Sequence, residues 1–463
     1  MKKNNKQQFE ATDLGNAERF TSEHRGHLLS VSSANQWLKW NGHKWHKIAD
    51  KEVYKYAIET ADNLLFDSGK TRGTHFDQSR KWALASQSEV RLRSMVNLAA
   101  KHPDIQTDLN SFDADPFLLN CLNGTVDLRT KEHQVPTSKS LVTKSVNASY
   151  KPYANCPEFE AFIASIFDGD DELISWVQRF IGYLFLGLTD EQVCFFAYGT
   201  GANGKSTLFK TLKYIMGDYA ATADVETFMK GNKSDVRVLE AVGELKGIRF
   251  ALASEIDSSY RISEALLKRL TGGDTLRGTT LRQSAFEFVP QFKLCFLTNH
   301  LPFARDGSHG FWRRIKVIPF AKQYKKSEIR SDLPELLKKE ADGILAWCVE
   351  GAAAWYTERQ AKGGTSGLGQ ALAITEATDA YRYENDLFSR FLEEECEEAM
   401  GQTTQARELY DAYRFWSGEN GDHYPISEVI FSRRMEERGY KKKRRSSGNI
   451  YENLAHQRNF GNI

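Results

Sequence analysis

The spacing of apolar residues changes character several times along the chain. Residues 1–25 are polar and are expected to be partly disordered. The stretch "WLKWNGHKW" (37–45) reads as two short strands joined by Asn41-Gly42, the dipeptide of a type I′ hairpin. Its three tryptophans are read as local packing, with stacking on bases as the alternative. Residues 51–110 carry helical spacing, and "FLLNCLNGTVDLRT" (117–130) reads as an apolar run, a turn and a short strand. Residues 158–187 are helix-like, with breaks expected near Gly182 and Gly187. From 191 to 320 the texture shifts. Short apolar runs at 193–198, 250–253, 294–297 and 315–320 alternate with helical stretches, the pattern of an α/β domain. Residues 328–360 are helical again, and "KGGTSGLG" (362–369) reads as a linker. The spacing predicts a helix over 386–400 with Leu387, Phe388, Phe391 and Leu392 on one face. The tail, 403–463, reads as helix, helix and a basic hairpin turning at 446–449.

At 463 residues the chain exceeds one ordinary core, so roughly two to four domains are expected. No run of eighteen apolar residues occurs, and "MKKNNKQQFE" has no apolar segment of an export signal, so a membrane partner is not expected. Cys121, Cys156, Cys194, Cys295, Cys348 and Cys396 form no C-x-x-C pair and read as buried reduced thiols of a cytoplasmic protein. The histidines show no metal spacing, so no structural zinc is expected. The net charge is only +1, but "RRMEERGYKKKRR" (433–445) holds eight basic and two acidic side chains. A basic C-terminal patch on a near-neutral body follows.

The chemistry is densest at "YGTGANGKST" (198–207), which fits G-x-x-x-x-G-K-[ST]. An apolar run precedes it, as a buried parallel strand would. Leu208, Leu212, Ile215 and Met216 follow on one helix face. Glycines let backbone N–H groups turn inward and approach phosphates closely, and the helix start adds its positive dipole end. Gly199, Thr200, Gly201, Ala202, Asn203, Gly204, Lys205, Ser206 and Thr207 are therefore the candidate nucleotide cradle. Lys205 would place its charge on the β- and γ-phosphates, and Ser206 would offer a hydroxyl to Mg²⁺. ATP and Mg²⁺ are the expected cofactors; a glycine-rich turn without nucleotide is the alternative.

Such a site needs an acid at a neighbouring strand end for Mg²⁺ and the attacking water. "RFALASEID" (249–257) offers Glu255, with Asp257 in reserve. "KLCFLTNHLP" (293–302) ends in Thr298-Asn299, where an asparagine can orient the lytic water. "GFWRRIKVIPF" (310–320) sets Arg313 and Arg314 before a strand; arginine stabilises charge on a transferring phosphoryl group, often from a neighbouring subunit. Between acid and asparagine lie Lys268, Arg277 and Arg282, with a hairpin expected from Arg277 to Glu287. Single-stranded nucleic acid would suit that charge, and a solvated hairpin is the plain alternative.

Phosphate loop, acid strand, T-G-G-D segment with hairpin, asparagine strand and arginine pair fall in that order. This resembles the superfamily three helicases, AAA+ motors of viruses, phages and plasmids, and most closely the phage and plasmid primase-helicase family related to the poxvirus primase-helicase. "TDLGNAERF" (12–20), "LLNCLNGTVDL" (118–128) and "FIGYLFLG" (180–187) look like the region before that family's motor. "RELYDAYRFWSGENG" (407–421) and "FSRRMEERGYKKKRRSSGNIYENL" (431–454) look like its winged-helix module.

The resemblance implies a multidomain protein. It would have an N-terminal accessory region (1–110), a helical collar (111–190) and an α/β AAA+ P-loop core (191–325). A helical extension (326–385) and a winged-helix domain (386–463) would follow. It implies Gly199, Gly204, Lys205 and Ser206 on nucleotide and Mg²⁺, Glu255 as the Walker B acid and Asn299 as γ-phosphate sensor. Lys268 would lead into a DNA-tracking hairpin, and Arg314, or Arg313, would be the finger reaching a neighbour's ATP. It further implies a homo-oligomeric ring, a hexamer, moving 3′ to 5′ on single-stranded DNA in a bacterial cell. A separate primase and replication proteins would be its partners. Duplex DNA would meet a recognition helix over 433–440 and a wing strand of Lys441, Lys442, Lys443, Arg444 and Arg445.

Two departures stand out. Ser254 precedes Glu255 where some members have paired acids, so one metal-side carboxylate is either missing or supplied by Asp257. Similarity starts at residue 12, so no primase domain and no primer synthesis are expected. The rivals are an origin-binding initiator that melts DNA without processive unwinding, a kinase using the same loop, and a nucleotide-gated scaffold without turnover.

Overall fold

The computed structural model describes residues 9–70, 74–231, 235–256, 260–279, 285–304, 308–422, 425–446 and 448–456. Its N-terminal part is α1 (Asp13–His24), β1 (Leu28–Val31), β2 (Gln36–Trp40), β3 (Trp45–Ile48), α2 (Asp50–Ser68), α3 (Thr74–Ser86), α4 (Glu89–Ala99) and β4 (Gln106–Thr107). The sheet order is β3-β2-β1-β4. Over residues 13–24 the expected disorder is replaced by α1. Thr12 caps it, its hydroxyl accepting from the Gly15 N–H at 3.0 Å, and Phe20 is fully buried against Trp37. The few apolar residues of α1 suffice because they fall on one face.

The tryptophan hairpin exists, with Trp40 opposite Trp45. Its loop has four residues, not two. The Asn41 side chain accepts from the His43 and Lys44 N–H groups, a turn an Asn makes without type I′ geometry. Trp37 and Trp45 are buried, as the packing reading expects.

Next come β5 (Leu118–Cys121), β6 (Gly124–Asp127), β7 (His133–Gln134), α5 (Pro157–Ile166) and α6 (Asp171–Phe185). The helical stretch breaks at 167–170, not at Gly182, which lies inside α6. A Cβ on Gly182 would stand 2.1 Å from the Ala352 backbone nitrogen, so this glycine serves a close helix crossing rather than a turn.

The central layer follows as β8 (Cys194–Tyr198), α7 (Lys205–Met216), β9 (Ala220–Thr222), α8 (Asp235–Gly243), β10 (Phe250–Ser254), α9 (Glu264–Thr271), β11 (Leu276–Gly278), β12 (Phe286–Phe288), β13 (Lys293–Thr298), α10 (His309–Trp312) and β14 (Ile315–Pro319). Five parallel strands stand in the order β14-β8-β13-β10-β9. Phe195 and Ala197 enter one core while Cys194 and Phe196 enter the other, so both faces are covered. That double burial is why these strands read as unbroken apolar runs. β9, three residues of Ala and Thr, offered no such run. β11 and β12 form the expected hairpin, with Arg277 opposite Glu287.

α11 (Leu333–Lys339), α12 (Ala341–Ala361) and α13 (Leu372–Asn385) pack back onto this body. α12 crosses α6, and a Cβ on its Gly351 would lie 2.1 Å from the Gln178 carbonyl oxygen. The stretch expected as a linker is held fast. The Glu191 carboxylate accepts from the Gly367 N–H at 2.6 Å, the Ser366 hydroxyl at 2.6 Å and the Trp355 indole at 2.7 Å.

The C-terminal unit is α14 (Leu387–Glu395), β15 (Cys396–Gln405), α15 (Ala406–Glu419), α16 (Glu428–Glu437), β16 (Lys442–Arg445) and β17 (Gly448–His456), with sheet order β15-β17-β16. The helix expected over 386–400 ends at Glu395, and Cys396 opens a ten-residue strand. Its glutamates suit a helix locally, but pairing with β17, a partner some fifty residues away, overrides that preference. The helix expected over 433–440 spans Glu428–Glu437 instead, begun by the Ser427 N-cap.

Candidate active site

Parallel strands bring their C-terminal ends to one edge, and the candidate chemistry collects there. β8 runs into the loop 199–204 and then α7. β13 lies directly beside it, Thr298 opposite Tyr198, so Asn299 is the first residue past the strand. β10 follows on the far side of β13 and ends in Ser254, with Glu255 next.

The loop is braced from three directions. Gly201 and Gly204 hold φ of +103° and +82°, and Ala202 is left-handed at +47°, a conformation costly for a residue with a Cβ. The Asn203 amide donates to the Phe320 carbonyl at 3.3 Å. The Tyr324 N–H donates to the Ala202 carbonyl at 2.8 Å, and the Gln323 amide donates to the Thr200 hydroxyl at 2.7 Å. A Cβ on Gly199 would sit 2.4 Å from both Asn203 and the Phe320 carbonyl.

Lys205, the first residue of α7, is 5% exposed. Its ammonium donates to the Asn299 side-chain oxygen at 3.1 Å and to the Gly199 carbonyl. Among the described residues no carboxylate stands within ion-pair distance. Burial therefore pulls the ammonium down to a pKa of about 8. A buried cation answered only by neutral oxygens, at a helix N-terminus, fits an anionic phosphate.

A cleft of about 470 Å³ opens over Lys205. Gly201 through Thr207 and Asn299 line one side. The other is built by residues that motif reasoning missed: Glu158 and Phe162 of α5, with Tyr324, Ile329, Arg330 and Leu333. Arg330 pairs with Glu158 at 2.7 Å, and the Ser165 and Tyr324 hydroxyls lie 2.7 Å apart. These positions belong to no spacing pattern; only folding brings α5 across the loop.

Glu255 is exposed, held at φ +70° with its N–H donating to the Leu297 carbonyl at 3.2 Å, and it stands outside the cleft lining. Asp257 and Arg282 lie outside the described residues. Arg313 and Arg314 sit at the N-terminal ends of the strands, one strand length, or about 15 Å, from the loop. Arg313 donates to the Gln192 amide oxygen at 2.7 Å. Arg314 donates to the Gly310 carbonyl, and its Nε is buried without a partner among the described residues. Burial and then the Arg313 charge depress its pKa. The pair is thus apart from its own chain's cleft.

Lys268, on α9, donates to the Ser308 hydroxyl at 3.2 Å, and Arg277 is exposed on β11. The strand expected over 441–445 begins at Lys442; Lys441, just before β16, and Arg444 within it face solvent, and Lys442 donates to the Ser432 hydroxyl at 2.7 Å. Lys443 and Arg445 both bond Glu452, the latter at 3.2 Å.

Known proteins resemble the chain in two stretches. The family described as "D5 N terminal like" matches residues 17–168, and a family of unknown function, DUF5906, matches 197–314. A candidate helicase of Acanthamoeba polyphaga mimivirus is 25% identical over 390 residues, covering 77% of this chain and 40% of its own length. A candidate helicase of Frog virus 3 (isolate Goorha) is 27% identical over 285 residues, covering 57% and 28%. A candidate primase of African swine fever virus (isolate Tick/Malawi/Lil 20-1/1983) is 21% identical over 383 residues, covering 77% and 38%. The chain thus spans two fifths or less of the length of these relatives. The fold matches the apo structure of the NrS-1 C terminal region at a TM-score of 0.51 and 12% identity, covering 96% of this chain and 99% of that one. Among the described residues no helix is long and apolar enough to cross a membrane.

Proposed function

We propose that this chain is the ATP-driven DNA helicase of a phage, plasmid or genomic island, working as a ring on single-stranded DNA during replication. The observation that carries the reading is the buried Lys205 ammonium, bonded at 3.1 Å to Asn299 from the neighbouring strand, under a cleft ringed by the glycine loop. Likeness to viral candidate helicases supports the DNA substrate.

In this reading the loop N–H groups and Lys205 hold the phosphates, with the nucleoside lying toward Phe162, Tyr324 and Leu333. Ser206 would offer its hydroxyl to Mg²⁺, which neutralises phosphate charge, and Glu255 would face the ion from the end of β10, outside the cleft lining. Asn299 orients the lytic water beside Lys205. Arg314 cannot reach its own cleft, which suits a finger delivered to a neighbour in a ring, with Arg313 tied to Gln192. The β11–β12 hairpin carries Arg277 toward DNA phosphates, a sequence-tolerant contact. The C-terminal unit, a helix, strand, two helices and a basic hairpin in order, would in this reading be the winged-helix module and engage duplex DNA through Lys441–Arg445.

ATP hydrolysis with and without single-stranded DNA tests this, with Lys205→Ala as the blank. Stimulation by DNA that the variant loses, followed by displacement from 3′-tailed duplexes, supports the motor. Hydrolysis indifferent to DNA removes it. Stimulation without displacement of a long strand favours the origin-melting initiator.

A further inference from the structure

α16 does not turn all of its basic face to solvent. Arg433, Arg434 and Arg438 line a cleft of about 730 Å³ between the C-terminal unit and the central domain. Arg382 of α13 and Arg261, which enters α9, line the same cleft. Five guanidinium groups thus face two carboxylates, Asp386 and Glu437.

The acids offset that charge only in part. Arg433 reaches Glu437 only at 3.7 Å and Arg438 reaches Asp386 only at 3.8 Å. Arg261 stands 3.5 Å from Glu264, and its Nε is buried with no hydrogen-bond partner among the described residues. Neither Arg382 nor Arg434 has a carboxylate within ion-pair distance among those residues. Arg434 lies instead over the Phe388 ring, 5.8 Å from its centre. The N-terminal turn of α16, at Ser427 and Ile430, also opens into the cleft and adds its positive end.

The walls are fixed to each other. The Ala304 N–H donates to the Asn385 side chain at 2.7 Å, the Tyr381 hydroxyl donates to the Pro302 carbonyl, and Phe303 packs into the C-terminal core. The cleft also reaches Ser308, the residue that accepts from Lys268. Its positive lining is therefore continuous with the start of the hairpin element.

We propose that this cleft is a binding site for the sugar-phosphate backbone of single-stranded DNA, which runs from α9 to α16. Planar guanidinium groups bind phosphate oxygens in a bidentate manner and tolerate any base sequence. A positively charged groove that tracks the backbone is how single strands are held without sequence preference. The site rests on the motor reading above and adds a second grip distinct from the hairpin. It also places part of the helix assigned to duplex recognition on the single strand.

The test is fluorescence anisotropy of labelled dT₂₀ with the full chain and with Arg382→Glu/Arg434→Glu. Basal ATP hydrolysis and circular dichroism check the fold, and Arg382→Gln/Arg434→Gln is a milder second variant. Affinity for dT₂₀ is expected to fall at least tenfold. The slope of log K against log salt should flatten by about 1.4, since each phosphate contact to a single strand contributes about 0.7. Unchanged affinity and slope in both variants, with the parent binding dT₂₀, overturns the cleft and leaves the motor reading standing. A parent that binds no single strand overturns both. With a labelled blunt duplex titrated alongside, a loss confined to the duplex overturns the single-strand assignment.

Discussion

Lys205 and Asn299 stand 94 residues apart in the chain and 3.1 Å apart in the fold. The contact exists because β13 is inserted beside β8, so Asn299, the residue after β13, meets the start of α7 where the loop after β8 ends. Lys205 holds charge there, and in the proposed motor Asn299 would orient the lytic water. Asn299→Ala is therefore expected to lower kcat for ATP hydrolysis by about a hundredfold while leaving nucleotide affinity within about threefold. Steady-state kinetics with a fluorescent-nucleotide titration checks it. A matching loss of affinity would make Asn299 a binding group instead.

The Lys205 ammonium sets a pH dependence. Burial lowers its pKa to about 8 from an ordinary lysine value near 10.5. Below pH 8 it is charged in the free protein and attracts phosphate. Above pH 8 it loses that charge, and affinity should fall by up to about tenfold per pH unit until nucleotide binding itself no longer holds the proton. For stability the sign is opposite. The unfolded chain binds this proton more tightly, so the free protein gains stability from pH 8 to 10.5. Nucleotide titrations across pH 7–9.5 check the first, and Lys205→Met should flatten the curve.

Arg314 lies a strand length from its own cleft, so its loss should be repaired by another chain. Arg314→Ala alone is expected to bind nucleotide normally and hydrolyse it at least a hundredfold more slowly. Mixed with Lys205→Ala chains, which supply the arginine but no working loop, it should regain a measurable fraction of activity. No recovery at any mixing ratio counts against a finger acting between subunits.

The helix crossing at Gly182 allows no side chain. Gly182→Val would drive atoms into the Ala352 backbone, where even a Cβ would be 2.1 Å from nitrogen. A destabilisation of about 3 kcal/mol or more is expected. A melting temperature lowered by several degrees would show it; an unchanged one would mean the helices slide apart freely.

Much of the central sheet was legible because both its faces are buried. Continuous apolar runs marked β8, β10, β13 and β14, and the glycine spacing marked the loop. β9 was not legible, being three small residues at the sheet edge. β15 was hidden because its glutamates favour a helix and only distant pairing makes it a strand. The far wall of the cleft was equally silent. Phe162, Tyr324 and Arg330 carry no motif and meet the loop only through tertiary packing. Glu191 carries no motif either, and it fastens 366–368 in place.

At the opposite end of the sheet from the loop, Arg249 and Lys293 are buried side by side, with no acid within ion-pair distance among the described residues. Arg249 donates to the Phe185 carbonyl at 2.6 Å and the Leu118 carbonyl at 2.9 Å. Lys293 donates to the Leu186 carbonyl and to the Gln291 carbonyl at 3.2 Å. Three of these four acceptors lie before residue 191. A fragment trimmed to start at residue 191 would keep the nucleotide loop but strand two charges in an apolar interior. The smallest fragment of the central domain that leaves both charges answered must therefore carry the β5 strand and the α6 helix with it.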